Sequence, residues 1–198
     1  MSTSASTGLR DLLAAQFPLL KPEQWDLLEA HYQLLLRWNR VLNLTRIEDV
    51  REAAERHYGE SLFVASHIPP AASVRVVDIG SGAGFPGFPI AVARPSCEVT
   101  LVESHQRKAV FLREAARGLE NVRVVAKRAE AVTERFELAV SRAVSYDDLL
   151  PSLARLAHGI VLLTGAEAPP ESARIQWKEV EKLPWGKQRF LRFGQCAL

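Results

Sequence analysis

The apolar positions along this chain change their period near residue 70. Before it they recur at helical spacing. Leu28, Tyr32, Leu35 and Leu42 fall on one stripe of a segment opened by Lys21-Pro22, which predicts a long amphipathic helix with proline at a tolerated first-turn position. Leu9 to Phe17 predicts a short helix stopped by Pro18, and Glu48 to His57 and Ser61 to His67 predict two more. Pro69-Pro70 marks a join. Beyond it, short apolar runs alternate with helical patterns. Strands are expected at Val74 to Ile79, Glu98 to Glu103, Val122 to Val125, Leu138 to Ser141 and Ile160 to Thr164. Helices are expected at Phe88 to Ala93, at Gln106 to Arg117 with Gly118 as its cap, and at Leu149 to Ala157 with Gly159 following. This alternation predicts an α/β fold: a mostly parallel sheet with helices on both faces. Arg174 to Leu183 and Gln188 to Phe193, joined by Pro184-Trp185-Gly186-Lys187, predict an antiparallel hairpin at the sheet edge. The expected organisation is a helical extension over residues 1–70, packed on a core of residues 71–198 as one structural unit.

Composition changes this picture little. A chain of 198 residues buries one good core. No stretch is long and apolar enough to span a bilayer, and residues 1–8 lack the layout of a signal peptide, so the expectation is a cytoplasmic protein with no membrane partner. Cys97 and Cys196 stand far apart and make no metal-ligand pattern, so no metal is expected. The net charge of +2 neither requires nor excludes nucleic acid. Basic residues gather between Arg107 and Arg142, but Glu114, Glu120, Glu130, Glu134 and Glu137 interleave with them, as on a solvated charged face. Monomer is the simple default.

The candidate chemistry begins where the first predicted strand ends. Val76-Val77-Asp78-Ile79 runs into Gly80-Ser81-Gly82-Ala83-Gly84-Phe85-Pro86-Gly87. Glycine at these positions lets backbone approach a ligand where side chains would block it. A second carboxylate, Glu103, ends the next strand. A glycine loop followed by a downstream acid is how a doubly wound sheet holds a nucleoside, with the acid on the ribose hydroxyls. Gly82 to Gly87 also reads as the dinucleotide pattern G-x-G-x-x-G. Against a dinucleotide, Asp78 at the strand tip repels a pyrophosphate and suits a cationic or amine-bearing ligand. S-adenosylmethionine fits that description, with Asp78 toward its methionine end, Gly80, Gly82 and Gly84 passing beneath it, and Glu103 accepting from its ribose. An ordinary tight turn followed by a surface glutamate is the plainer alternative.

Four segments carry a family resemblance: Trp38-Asn39-Arg40-Val41-Leu42-Asn43-Leu44-Thr45; the glycine loop through Phe85-Pro86-Gly87-Phe88-Pro89; Arg107-Lys108-Ala109-Val110-Phe111-Leu112-Arg113; and Ser141-Arg142-Ala143. From about Leu27 to Thr164 the chain resembles the bacterial small-subunit ribosomal RNA guanine-N7 methyltransferases, the glucose-inhibited division protein B family. The resemblance implies a Rossmann-like class I methyltransferase fold, S-adenosylmethionine as donor, and a guanine of 16S ribosomal RNA, free or in a ribosomal particle, as acceptor. It implies donor contacts at Gly80, Phe85, Ala129, Glu130 and Arg142, with Glu103 as the ribose acid. Two positions depart from the family pattern: Thr164 stands where a lysine is usual, and Glu60 where an aspartate is. Alternatives are a methyltransferase acting on another RNA or a small molecule, a silent RNA-binding relative, and a nicotinamide-dependent oxidoreductase.

Guanine N7 carries a lone pair and no proton, so its methylation needs alignment rather than a general base. Arg142, after the fourth strand, is the expected reaction-centre residue, clamping the donor carboxylate or contacting guanine O6. A structural ion pair with Asp78 or Glu130 is its other reading. Phe85 suits core packing as well as donor contact. Asn39, Asn43 and His57 are candidates for shaping the target pocket, although Asn43 and Thr45 also suit helix caps. Arg37, Arg40, Arg46, Arg51 and Arg56 offer an RNA-facing surface.

Overall fold

The computed structural model describes residues 7–69 and 73–196. The expected boundary at Pro70–Ala71 lies outside the described residues. Seven strands form one sheet: β1 (Arg75–Ile79), β2 (Glu98–Val102), β3 (Val122–Val125), β4 (Phe136–Arg142), β5 (Ala157–Thr164), β6 (Ile175–Lys182) and β7 (Phe190–Cys196), in the order β3-β2-β1-β4-β5-β7-β6. The first five are parallel, and β7 lies antiparallel between β5 and β6. The chain winds outward from β1 to β3 and returns to β4 on the other side of β1. Loops leaving the carboxyl ends of β1 and β4 therefore diverge and open a crevice, the place where sheets of this kind hold ligands.

β1 and β2 are buried on both faces after their first residue, as strands covered on both sides must be. Val76, Val99 and Leu101 face one core, with Phe88, Phe111 and Leu28. Val77, Ile79 and Val102 face the other, with Leu149, Leu153 and Leu156. The first core is covered by α5 (Gly87–Ala93) and α6 (Gln106–Ala115) and by the N-terminal helices, the second by α7 (Tyr146–Leu156).

The N-terminal helices are α1 (Leu9–Leu13), α2 (Pro22–Leu42), α3 (Val50–Ala53) and α4 (Glu60–Ser66). α2 starts with Pro22 in its first turn and ends on Asn43 in the left-handed region at φ 48°. Leu28, Tyr32 and Leu35 are buried, each such side chain stabilising the fold by about 1.5–3 kcal/mol, whereas Leu42 is only half-buried. The two helices expected between Glu48 and His67 are one continuous run. A π-helical turn, Ala54–Gly59, joins α3 to α4, and the Glu60 N–H donates to the Glu55 carbonyl. Gly59 makes this possible: a Cβ there would lie 2.9 Å from the Ala54 carbonyl oxygen and 3.0 Å from the Trp185 ring. Gly159 does not stop α7. The chain is already extended at Ala157, and Gly159 lies inside β5.

Candidate active site at the carboxyl edge of the sheet

The glycine loop leaves β1 with positive φ at Gly80, Gly82 and Gly84. Its N–H groups are turned inward. Those of Gly80 and Ser81 donate to the Val102 carbonyl at 2.9 and 3.1 Å, those of Gly84 and Phe85 to the Ser81 carbonyl, and that of Phe88 to the Gly84 carbonyl. Gly82 N–H donates to Glu103 Oε2 at 3.0 Å and Gly87 N–H to Asp78 Oδ2 at 2.9 Å. A pyrophosphate needs such donors free and a helix start open to it. Here the donors are satisfied within the fold and a buried carboxylate occupies the start of α5, so the dinucleotide reading does not fit. The glycines also serve packing more than ligand approach. A Cβ on Gly80 would meet Val144, and one on Gly87 would meet Leu101 and Asp78, each within 3 Å. Only Gly82 opens onto the pocket without crowding.

Asp78 is fully buried beneath this loop, and its Oδ1 has no hydrogen-bond partner among the described residues. Burial raises its pKa to about 7, against the lowering effect of the Gly87 and Ser81 hydrogen bonds and the Arg142 charge. The carboxylate thus sits behind the loop, not on the surface of the pocket in front of it. Glu103 does face that pocket, a space of about 330 Å³ also lined by Gly80, Gly82, Ala129 and Glu130. Its oxygens accept from Gly82 N–H and, at 2.7 Å, from His105 N–H, which fixes the carboxylate plane. Ala129 and Glu130 lie in a short 3₁₀ turn, Ala129–Ala131. Arg155 of α7 steadies it by donating to the Ala129 carbonyl at 2.8 Å.

Across Ala143 and Val144, which line both spaces, lies a larger cavity of about 970 Å³ between the N-terminal helices, the loop after β4 and the end of β5. Phe85, Arg142 and His57 meet beside it. The His57 ring stacks on Phe85 at 4.5 Å, and the Arg142 guanidinium lies 5.2 Å from the same ring centre. Phe85 is itself buried, so core packing and site contact coincide in one residue. Arg142 Nη2 and His57 Nδ1 are 3.0 Å apart, and His57 Nε2 is 2.8 Å from Thr45 Oγ1. Arginine only donates, which assigns the histidine proton to Nε2. Burial, helped by the Arg142 charge, lowers the His57 pKa to about 3. Burial also lowers that of Arg142 to about 10, with Glu60 acting in the opposite sense, so at pH 7 the histidine is neutral and the arginine charged.

The ion-pair partner of Arg142 is Glu60 at 3.7 Å, rather than Asp78 or Glu130. Asn39 sits further back. Its amide donates to the Thr45 carbonyl and to Glu48 Oε1, and its oxygen accepts from Thr45 N–H, so it shapes the loop that carries Thr45 to His57. Asn43 is the C-cap of α2. The five N-terminal arginines are exposed. Thr164 Oγ1 accepts from Arg192 Nε at 3.1 Å, so a cation from β7 stands beside the threonine.

Sequence reasoning did not find Arg189 or the role of Glu60. Arg189 lies beyond Thr164, where the family resemblance ends, and reaches the cavity because β7, which follows it, folds back beside β5. It also missed His31, which stacks on Phe88 at 4.2 Å, accepts or donates at Nδ1 with the Tyr58 hydroxyl at 2.6 Å, and lies under Gly84. Burial takes the His31 pKa down to about 3; the nearby Ala83 backbone opposes this weakly, without a hydrogen bond of normal geometry to Nε2. Its place on the buried stripe of α2 was the available signal.

The chain has relatives in sequence and in fold. The chain is similar to the ribosomal RNA small subunit methyltransferase G of Xylella fastidiosa, with 44% identity over 75% of this chain and 66% of that protein. It is similar to the Brevibacillus brevis protein of the same name, with 35% identity over 90% of this chain and 79% of that one. The chain thus spans just under two thirds of the length of the first of these relatives. Among solved structures, a SAM dependent methyltransferase from Aquifex aeolicus shares the fold, with a TM-score of 0.62 at 14% identity, covering 78% of this chain and 97% of that one. The family described as GidB, rRNA small subunit methyltransferase G, matches residues 24–174, the stretch that holds the glycine loop, Glu103, His57 and Arg142, and the chain belongs to that family.

Proposed function

We propose that this protein transfers a methyl group from S-adenosylmethionine to N7 of a guanine in 16S ribosomal RNA. The observation that carries the reading is the Phe85–His57–Arg142 cluster beside the larger of two spaces that share Ala143 and Val144. One is sized and lined for a nucleoside, and the other is open enough for a base and its backbone. The residues present fit the donor. Glu103 presents a fixed carboxylate for ribose hydroxyls, the inward-turned N–H groups suit a ligand without phosphate, and the Ala129–Glu130 turn faces the same pocket. Bound there, S-adenosylmethionine supplies an electrophilic methyl on a sulfonium sulfur.

The chain's own residues then have to orient and exclude water. The N7 lone pair attacks without losing a proton, so no group needs to act as base. A neutral His57 whose Nδ1 lone pair faces Arg142 is consistent with that. His57, backed by the buried Phe85 ring, faces the larger cavity where the acceptor base would lie, and Arg142, charged and held by Glu60, offers donors to guanine O6. Orientation of this kind contributes roughly 7–11 kcal/mol to lowering a barrier in favourable cases. The exposed arginines of α2 and α3 extend the reading to an RNA backbone. Residues 1–70 act in it as a helical extension packed on a methyltransferase core of 71–198, working as a monomer in the cytoplasm.

The test is transfer of labelled methyl from S-adenosylmethionine to small-subunit ribosomal RNA from cells lacking their own enzyme, followed by nucleoside analysis. Labelled 7-methylguanosine at one site is the expected result. Donor binding without incorporation moves the reading to another substrate or to a silent binder.

A further inference from the structure

Glu60 has no solvent exposure, yet two guanidinium groups converge on it. Arg189 donates to it through both ends of a fork, Nε to Oε1 at 2.7 Å and Nη2 to Oε2 at 2.6 Å. Arg142 lies 3.7 Å from the same carboxylate. At this point of the larger cavity's wall one carboxylate faces two arginines, both of which line the cavity together with Arg56, Asp147 and Glu167. The two are not equivalent. Arg142 is largely engaged by His57 and the Arg56 carbonyl, and its side chain is 15% exposed. Arg189 is 22% exposed, and its Nη1 edge makes no hydrogen bond among the described residues. A buried carboxylate that grips one edge of a guanidinium leaves the other edge held in a fixed direction, which suits the planar pair of acceptor oxygens of a phosphodiester. Arg189 lies beyond the family match, which ends at residue 174. It lines the larger cavity and not the smaller pocket that Glu103 faces.

We propose that Arg189 is a binding residue for a backbone phosphate of the substrate RNA next to the target guanine, and that Glu60 is the positioning residue that aims it. This rests on the methyl-transfer reading above. Position 189 would then set how the strand enters the cavity, while leaving the donor untouched.

The experiment compares wild type with the double variant Glu60→Gln/Arg189→Gln, which removes the Glu60–Arg189 pair as a unit and leaves Arg142 held by His57 and the Arg56 carbonyl. Donor affinity, KM for ribosomal RNA, kcat, and the salt dependence of binding to an RNA fragment are measured for both. The expected result is a donor affinity within about twofold of wild type, a KM for RNA raised about tenfold, and a log–log salt slope smaller by about 0.7–0.9, the loss of one phosphate contact. If the double variant does not fold, Arg189→Lys keeps the charge and loses the fork, and a raised KM for RNA at unchanged donor affinity is expected of it. An unchanged slope and KM, or a loss confined to donor binding, overturns the proposal and leaves the pair as a staple of the hairpin. A wild-type protein that neither binds nor methylates RNA removes the function reading itself, and this inference with it, whereas wild-type transfer with an unaffected variant removes only the inference.

Discussion

The two spaces that meet at Ala143 and Val144 are built in opposite ways. The smaller one is made of backbone and one carboxylate: a loop whose N–H groups are bonded inward, Glu103 fixed by two of the local amides, and Asp78 hidden behind. The larger one is made of side chains from distant parts of the chain: His57 from the π-helical turn, Arg142 from β4, Arg189 from just before β7. The first is local in sequence and depends on conformation. The second is assembled from three places and depends on charge balance around Glu60. Faults in the first should therefore read out as donor affinity, and faults in the second as turnover and RNA affinity.

The sharpest way to break this division is Arg142→Ala. Loss of one preorganised electrostatic contact costs on the order of 10²–10³ in kcat, and the thermal melt should stay cooperative because Arg189 still pairs with Glu60. Steady-state kinetics together with donor titration check this, and normal turnover would remove Arg142 from the reaction centre. Glu103→Ala is the matching change on the other side. Charge-assisted hydrogen bonds of about 1.5–3 kcal/mol predict donor binding roughly 10–100-fold weaker, with RNA affinity unaltered. An equal fall in both affinities would merge the two spaces into one.

Titration sharpens the comparison further. The Asp78 pKa rises from 3.8 to about 7 on folding, so between those values the folded chain holds a proton that the unfolded chain has lost. Stability contributed by this group is complete below pH 3.8 and falls as pH rises toward 7, at up to about 1.4 kcal/mol per pH unit. Asp78→Asn should flatten that fall in denaturant midpoints measured from pH 4 to 8. His57 has the opposite sign. Its pKa drops from 6.5 to about 3, so the unfolded chain binds the proton first and the stability is lost as pH falls below 6.5. A midpoint that moves the same way for Asp78→Asn and His57→Gln would contradict the two environments described. The smallest effect is expected of Thr164→Lys. It places a cation beside Arg192 Nε in a buried position, and should lower stability by about 1 kcal/mol, or roughly 2–4 °C in Tm for a chain of this size.

Much of the first space was legible in the chain. The strand, the run of glycines and Glu103 lie within a single β-turn-α-β unit, where spacing and backbone preference act over short range. Even there, the orientation of Asp78 was not legible. Its direction is set by the Gly87 N–H and by Leu101 across the sheet, which local pattern does not encode. The helical run over 50–66 was read as two pieces because a π turn leaves the ordinary period by one residue, and only packing of Gly59 against Trp185 shows why it is kept. The role of Glu60 was not legible either, since nothing near it in sequence announces Arg189.

The sequence by itself determined the class of fold, the α/β order with its closing hairpin, the place of the glycine loop and the family to which the chain belongs. These follow from periodicity, turn chemistry and motif spacing, all properties of neighbours along the chain. Only the tertiary structure decided which charges meet. Arg142 pairs with Glu60, Arg189 arrives from the turn before β7, 129 residues away, to share that carboxylate, and His57 turns its lone pair to the arginine. A buried charge takes whatever partner the packed elements bring within reach, because desolvation forces a partner upon it, and that choice is made by the sheet order and not by position in the sequence.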